Sequence, residues 1–405
     1  MPNYDTGAQN ISLHEAAVCG HINVLNTLLK HGVDIETTDE QGWTSLHKAC
    51  SRSKITVILE LLKNGAKAEA TDPNKGWTPL FVAAEYPEVI AILLSHGAQT
   101  EAKSNEGSTV LHHYASRGCT DGVYLLLCNG CNIEATDNRG QTALYYAAEG
   151  NHDEVLRILL DEGLDPNSRN KANEAPIHIA TALGYPASVE ALLRGGAEIE
   201  AQDADDDTPL HIAVSRNNIE MAKFLLNRRA NINAKGHDAN TALHMAASEN
   251  NTDMVTMLLE RGAETDAKDN MGLTALHIAV KESSPKVVAL LLNKGAKINI
   301  LDNEGNSAIG LVTKNANLEL ANLMLGEGTN VSNILKFKKN TRASEYMAYE
   351  HSSLTARRTF KTKLSPSTFK PEYNELPSSR EILEEICIEF SKVPQSKICS
   401  NQYLL

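Results

Sequence analysis

One phrase recurs along this chain and constrains its fold more than any other feature. Thr-x-Leu-His-x-Ala, or a close variant, places its fourth residue at His14, His47, Phe81, His112, Tyr145, His178, His211, His244, His277 and Gly310, ten occurrences in all. Eight of the nine intervals lie within one residue of 33, and the exception, Phe81 to His112, is 31. A second phrase keeps the same step, with Leu-Leu pairs at Leu28-Leu29, Leu61-Leu62, Leu93-Leu94, Leu126-Leu127, Leu159-Leu160, Leu192-Leu193, Leu225-Leu226, Leu258-Leu259 and Leu291-Leu292. Two phrases locked in register imply like units stacked in single file, each burying its apolar face only against its neighbours.

Each element of the phrase has a physical task. Thr44, Thr78, Thr109, Thr142, Thr208, Thr241 and Thr274 fall where a helix begins, and a hydroxyl there accepts a backbone N–H that has no partner inside the helix. Pro79, Pro176 and Pro209 follow at the first helical position, where a missing N–H costs nothing. The repeated histidine is expected to bond the threonine and backbone of the adjoining turn, a structural task that removes seven of the fourteen histidines from any search for catalysts or metal ligands. Alanines such as Ala16, Ala49, Ala83, Ala147, Ala180, Ala213, Ala246 and Ala279 keep the first helix slim, while the leucine pairs of the second fill the space between layers. Glycine at 32, 65, 97, 130, 163, 196, 262 and 295 predicts a left-handed helix end, a slot that Arg229 occupies once.

The period and both phrases resemble the ankyrin repeat, whose unit is a β-turn followed by two antiparallel helices. The resemblance implies an all-α solenoid of helix-turn-helix units with hairpin loops over residues 5–330, ten repeats with the first and last as caps. It also implies a protein partner seated on the concave surface formed by the turn tips and inner helices. Repeat three departs from the pattern, with one extra residue at Asp72-Pro73-Asn74-Lys75-Gly76 and two missing near Glu85-Tyr86-Pro87. Repeat four carries Tyr114 in an alanine slot. These irregularities are expected to bend or twist the stack.

The residue before each threonine slot forms a column, Asn10, Trp43, Trp77, Ser108, Gln141, Glu174, Asp207, Asn240, Leu273 and Asn306, expected to face solvent at the hairpin return. The chain's only two tryptophans are adjacent in it. Exposed tryptophan suits a binding hot spot, since a large ring is desolvated there at small entropic cost. Arg52, Glu85, Tyr86, Arg117, Tyr146 and Glu149 are expected to surround the two rings, which favours repeats two to five as the working site. Asp203-Ala204-Asp205-Asp206-Asp207 concentrates carboxylates at one tip, and Asp205, Asp206 and Asp207 are candidates for steering a partner with a basic surface.

Composition fits and narrows this reading. With 42% hydrophobic but only 5% aromatic residues, the chain suits many thin layers better than one large core. The net charge of −13 opposes nucleic-acid binding. It is unevenly spread, with net −16 over 1–326 and +3 over 327–405. No apolar run is long enough to span a bilayer and no signal peptide pattern opens the chain, so a monomer acting in the cytoplasm, or also in the nucleus, is expected. Seven irregularly spaced cysteines do not form a disulfide framework. Cys128-x-x-Cys131 looks like half a zinc or redox site, but no second pair stands at ligand spacing and Cys131 occupies a small-residue slot. No phosphate loop, G-x-S-x-G or H-E-x-x-H is present, so no catalytic residue, metal or cofactor is assigned.

Residues 331–375, rich in Lys, Ser, Thr and Pro, read as a flexible linker. Residues 376–405 read as a short helical segment with Ile382, Leu383, Ile386, Cys387 and Phe390 on one face. Leu376-Pro377 and Glu381-Ile382-Leu383 resemble the start of an F-box, and Leu383-x-x-x-Cys387 with Val393-Pro394 resembles a SOCS box. Two functions follow as expectations: a non-catalytic adaptor holding a protein partner, or a substrate-recognition subunit of a ubiquitin ligase docking through 376–405.

Overall fold

The structure, a computed structural model, describes residues 12–314 and 317–325. Asn10, the linker and the C-terminal segment lie outside those residues. Within them the chain forms twenty α-helices and no strands beyond isolated antiparallel bridges such as Thr38 to Thr44 at the hairpins. The fold is therefore all-α, as the period requires. The described residues divide into two compact units between His237 and Asp238, the first holding repeats one to seven and the second repeats eight to ten.

Most repeats with a histidine in the slot start the same way, whereas repeats three, five and ten hold Phe81, Tyr145 and Gly310 there. Thr44 is held in extended backbone just ahead of the helix Ser45–Cys50. Its N–H donates to Nδ1 of His47 at 3.2 Å, and its hydroxyl lies 2.8 Å from the same nitrogen. The other ring nitrogen donates to the carbonyl of Trp77 in the following repeat, at 3.0 Å. His112 joins Thr109 to Gln141, and within the second unit His244 joins Thr241 to Leu273, by the same bonds. These partners fix the tautomer, because Nδ1 must accept where it meets an N–H and Nε2 must then carry the proton. In repeat six Ala175 replaces the threonine, yet its N–H still reaches Nδ1 of His178 at 2.9 Å. The backbone donor is thus the constant half of the cap. Burial holds the pKa of His47, His112, His178 and His277 below the ordinary histidine value, which keeps the rings neutral and able to serve one donor and one acceptor.

Packing follows the small-and-large pattern with one refinement. Ala16, Ala49, Ala147, Ala180 and Ala213 are fully enclosed between neighbouring layers, as are Ala246 and Ala279 in the second unit. Of each leucine pair in repeats two to nine, only the first member is sealed off completely, as at Leu61, Leu93, Leu126, Leu159, Leu192 and Leu225. The second is half-buried except at Leu259, because a helix turns by 100° per residue and adjacent side chains cannot both face the core. The second helix then ends on a left-handed residue, Gly65 at φ +88° in repeat two and Arg229 at φ +68° in repeat seven. The arginine accepts a backbone conformation that a Cβ disfavours by about 1 kcal/mol.

A further set of rungs joins consecutive repeats at the loops after the second helices. Glu36 accepts the N–H of Lys67 at 2.8 Å, Glu69 that of Gln99 at 2.9 Å, Glu101 that of Asn132 at 2.7 Å and Glu200 that of Asn231 at 2.6 Å. Asp266 does the same for Lys297 at 3.0 Å in the second unit. Part of the acidity of the repeats is therefore consumed in building the stack and is not available to a partner.

The irregular repeat three is compensated by its neighbour. Its first helix, Pro79–Val82, is a single turn of four residues, cut short by the two missing residues. Tyr114 of repeat four fills the space, fully buried, with its hydroxyl donating to the carbonyl of Leu80, which also accepts the N–H of Ala83 at 3.3 Å. Room for the ring comes from Gly122 in the following helix, where a Cβ would sit 2.6 Å from Cδ2 of Tyr114.

Candidate partner-binding face

The hairpins position the candidate residues through one recurrent device. A carboxylate at the start of the turn folds back on the N–H groups that follow. Asp39 Oδ1 accepts from Gln41 and from Trp43, both at 2.9 Å, and Asp72 accepts from Asn74, Lys75 and Trp77 at 2.9, 2.7 and 3.1 Å. This side-chain cap mimics the missing backbone partners of a turn and sets the direction in which the chain returns. Asp137, Asp203, Asp269 and Asp302 repeat it, and Asn170 does the same with its side-chain amide oxygen. Adjacent tips are stitched together as well, with Asn105 donating to the Lys75 carbonyl at 2.8 Å and Asn138 to that of Glu106 at 3.0 Å.

Sequence reasoning expected the column before each threonine to face solvent, and here the structure differs. Trp43 and Trp77 are half-buried, Glu174, Asp207, Asn240 and Asn306 likewise, while Ser108, Gln141 and Leu273 are buried. The chain returns against its own first helix, so the side chain at that position lies along the stack. Trp77 packs 4.6 Å from the ring of His113 and nearly parallel to buried Phe81 at 6.0 Å. Lys75 Nζ lies over its face, 4.1 Å from the centroid. Trp43 sits 6.0 Å from the ring of His47, with Lys48 Nζ at 5.0 Å, and that ammonium is also paired with Asp39 at 2.6 Å. The two indoles are linked through His47, which tilts on Trp43 and bonds the Trp77 carbonyl.

Of the other candidates, Arg52 and Glu149 are exposed, Tyr86 is half-buried, and Glu85 pairs with Arg117 on the surface. Tyr146 is anchored, its hydroxyl 2.9 Å from Asp137 and 3.0 Å from Ser108, with its ring edge-on to His112 at 5.4 Å. Burial, with the Asp137 carboxylate adding to it, pushes that phenol up to about 12. At the acidic tip Asp203 is absorbed by the turn, accepting from Asp205 at 2.9 Å and from Asp207 at 3.0 Å. Asp207 accepts from the His237 N–H at 3.2 Å, which leaves Asp205 and Asp206 as the exposed carboxylates. The structure thus brings together Trp77, Lys75, His113 and Phe81 as one cluster and Tyr146, Ser108 and Asp137 as another.

Sequence reasoning missed His113, Lys75 and Lys48. A second histidine directly after a slot histidine, and a lysine two residues before a tryptophan, were the available signals. His113 is held down to about 4 by burial, with Arg117 and Lys75 adding, so it presents a neutral ring to Trp77. Cys131, expected to be buried, is half-buried. Its thiol is nonetheless pushed up to about 12 by desolvation and by Glu101, away from the thiolate that metal or redox chemistry uses. No group of three or more His, Cys, Asp or Glu side chains able to hold a metal lies among the described residues.

Helix pairs of constant step, joined by a histidine ladder and by hairpin rungs, define a helical-repeat protein. The family described as "Ankyrin repeats (3 copies)" matches residues 13–104, 54–137, 87–170, 111–203, 177–269 and 264–334, and the chain belongs to that family. Its repeats are in general protein–protein interaction modules, and members are typically non-catalytic scaffolds. Among solved structures the chain is similar to the ankyrin repeat domain of Bcl-3, described as a unique member of the IκB protein family. The two are 26% identical with a TM-score of 0.51, over 55% of this chain and 100% of that one. No curated protein sequence matches. Among the described residues no helix is long and apolar enough to cross a membrane.

Proposed function

We propose that the chain is a non-catalytic adaptor that holds a protein partner on the hairpin and first-helix side of repeats two to five. The observation that carries this is the paired half-exposed tryptophans, each fixed by ring contacts and overlain by a lysine. Rings held this way lose little further entropy when a partner covers them, and tryptophan and arginine dominate binding energy at interfaces. Arg52, Glu85, Tyr86, Arg117, Tyr146 and Glu149 form the polar surround, while Asp205 and Asp206, with Asp207 behind them, steer partners by charge. Membership of an interaction-module family supports the reading.

Proximity labelling of the intact protein in cells, compared with the Trp43→Ala, Trp77→Ala double variant and with Arg52→Glu, tests it. Prey lost from both variants, with Arg52→Glu folded as well as the parent, is the expected result. Prey retained by both places the binding surface elsewhere. The ubiquitin-ligase reading depends on residues 376–405, and failure of a 370–405 fragment to capture ligase adaptor proteins removes it.

A further inference from the structure

The two tryptophans differ in one respect that the fold itself imposes. Lys48, over Trp43, is neutralised by Asp39 at 2.6 Å. Lys75, over Trp77, has no carboxylate partner among the described residues, and its ammonium lies 4.1 Å from the indole centroid. The two lysines reach their rings from different places: Lys48 stands on the first helix of repeat two, where repeat three has Val82, and Lys75 stands in the turn of repeat three, where repeat two has Gln41. Asp72 there spends its oxygens on the N–H groups of Asn74, Lys75 and Trp77. In repeat two Asp39 uses Oδ1 for the turn and turns Oδ2 to Lys48.

The unpaired ammonium is also well placed. The Lys75 backbone is pinned on both sides, its N–H to Asp72 at 2.7 Å and its carbonyl to Asn105 at 2.8 Å. Beneath it Trp77, His113 and Phe81 form a floor of three rings, with centroids 4.6, 5.8 and 6.0 Å apart. Arg117 and Glu85 nearby cancel each other, His113 is neutral and the Asp72 carboxylate is buried and turned to backbone N–H groups, so the exposed, uncompensated charge above these rings is the Lys75 ammonium.

We infer that this patch is a specificity pocket for an acidic segment of the partner, in which an Asp or Glu carboxylate pairs with Lys75 and neighbouring apolar atoms cover the Trp77 edge. The inference deepens the adaptor reading and rests on it. An ammonium resting on an aromatic face is already partly desolvated, so a carboxylate meets it with less water to strip away than at an open lysine. The acidic tip at Asp205 and Asp206 lies four repeats further on and is not part of this pocket.

The test is a random-peptide display selection with the full chain as bait, repeated with Lys75→Glu, Lys75→Met and the double tryptophan variant. Peptides selected by the parent are expected to be enriched at least several-fold in Asp or Glu at one position. That enrichment should vanish with Lys75→Met and turn to Lys or Arg with Lys75→Glu, while both lysine variants melt like the parent. Selected peptides without acidic bias, or acidic peptides retained by Lys75→Glu, overturn the inference. Peptides that need the tryptophans but ignore Lys75 overturn it while leaving the adaptor reading standing. Peptides that bind the double tryptophan variant as well as the parent, or no selected peptides at all, overturn both.

Discussion

Tyr114 and Gly122 form a coupled pair whose energetics follow from the geometry of repeat three. A methyl group at residue 122 would meet Cδ2 and Cε2 of Tyr114 at 2.6 and 2.9 Å and Cδ1 of Ile90 at 3.1 Å. The isoleucine methyl can rotate, but the enclosed ring cannot. Gly122→Ala should therefore destabilise by about 1–3 kcal/mol through overpacking, despite the better helix propensity of alanine. Tyr114→Ala removes a fully buried ring together with the hydrogen bond to Leu80 and should cost about 3–5 kcal/mol. In the Tyr114→Ala background the clash is gone, and Gly122→Ala should then be neutral or stabilising by roughly 0.5–1 kcal/mol. The coupling energy of the cycle is accordingly about −1 to −4 kcal/mol. Urea unfolding of the four proteins measures it, with amide exchange of the Leu80–Pro87 region as a local probe, since a repeat protein need not unfold as one unit. Additivity within about 0.5 kcal/mol would show that the ring and the glycine do not compensate each other, and the account of repeat three would fail.

Three further outcomes are expected. His112→Ala leaves the Thr109 N–H without its acceptor and takes one of two donors from the Gln141 carbonyl, which keeps the Asp137 N–H, and should cost roughly 1–3 kcal/mol, read by chemical denaturation. Acidification should lower the thermal midpoint. His47, His112, His113, His178 and His277 all have folded pKa values below the ordinary one, so their stabilising contribution is complete above about pH 6.5 and is lost as pH falls toward the folded values. For His113 that loss runs down to about pH 4, and a His113→Gln variant should show a shallower slope; an unchanged profile would contradict the burial assigned to that ring. Arg229→Gly should stabilise by about 1 kcal/mol, because the residue stands at φ +68°, and a lower melting temperature would mean that the arginine side chain outweighs the backbone strain.

The repeats, their register and the left-handed helix ends were legible in the sequence, because each depends on residues close in the chain that meet the same local requirement again and again. The structural task of the histidine was legible for the same reason. The threonine hydroxyl, expected to accept a helix N–H, meets Nδ1 of the slot histidine instead at Thr109, Thr208, Thr241 and Thr274, and at Thr78 and Thr142, where the slot holds Phe81 and Tyr145, it has no partner. Exposure of the tryptophan column was not legible either. Whether an indole faces water or lies along the stack depends on the hairpin's return against the next repeat, a contact made about 30 residues away, as the His47 bond to Trp77 shows. Tertiary structure alone also revealed that Glu36, Glu69, Glu101 and Glu200 are rungs and not free charges, that Tyr114 replaces packing lost from repeat three, and that Lys75 is unpaired where Lys48 is not. A periodic sequence repeats its backbone interactions, whereas surface chemistry arises from the single residues that break the period, and only their three-dimensional neighbours decide what those residues do.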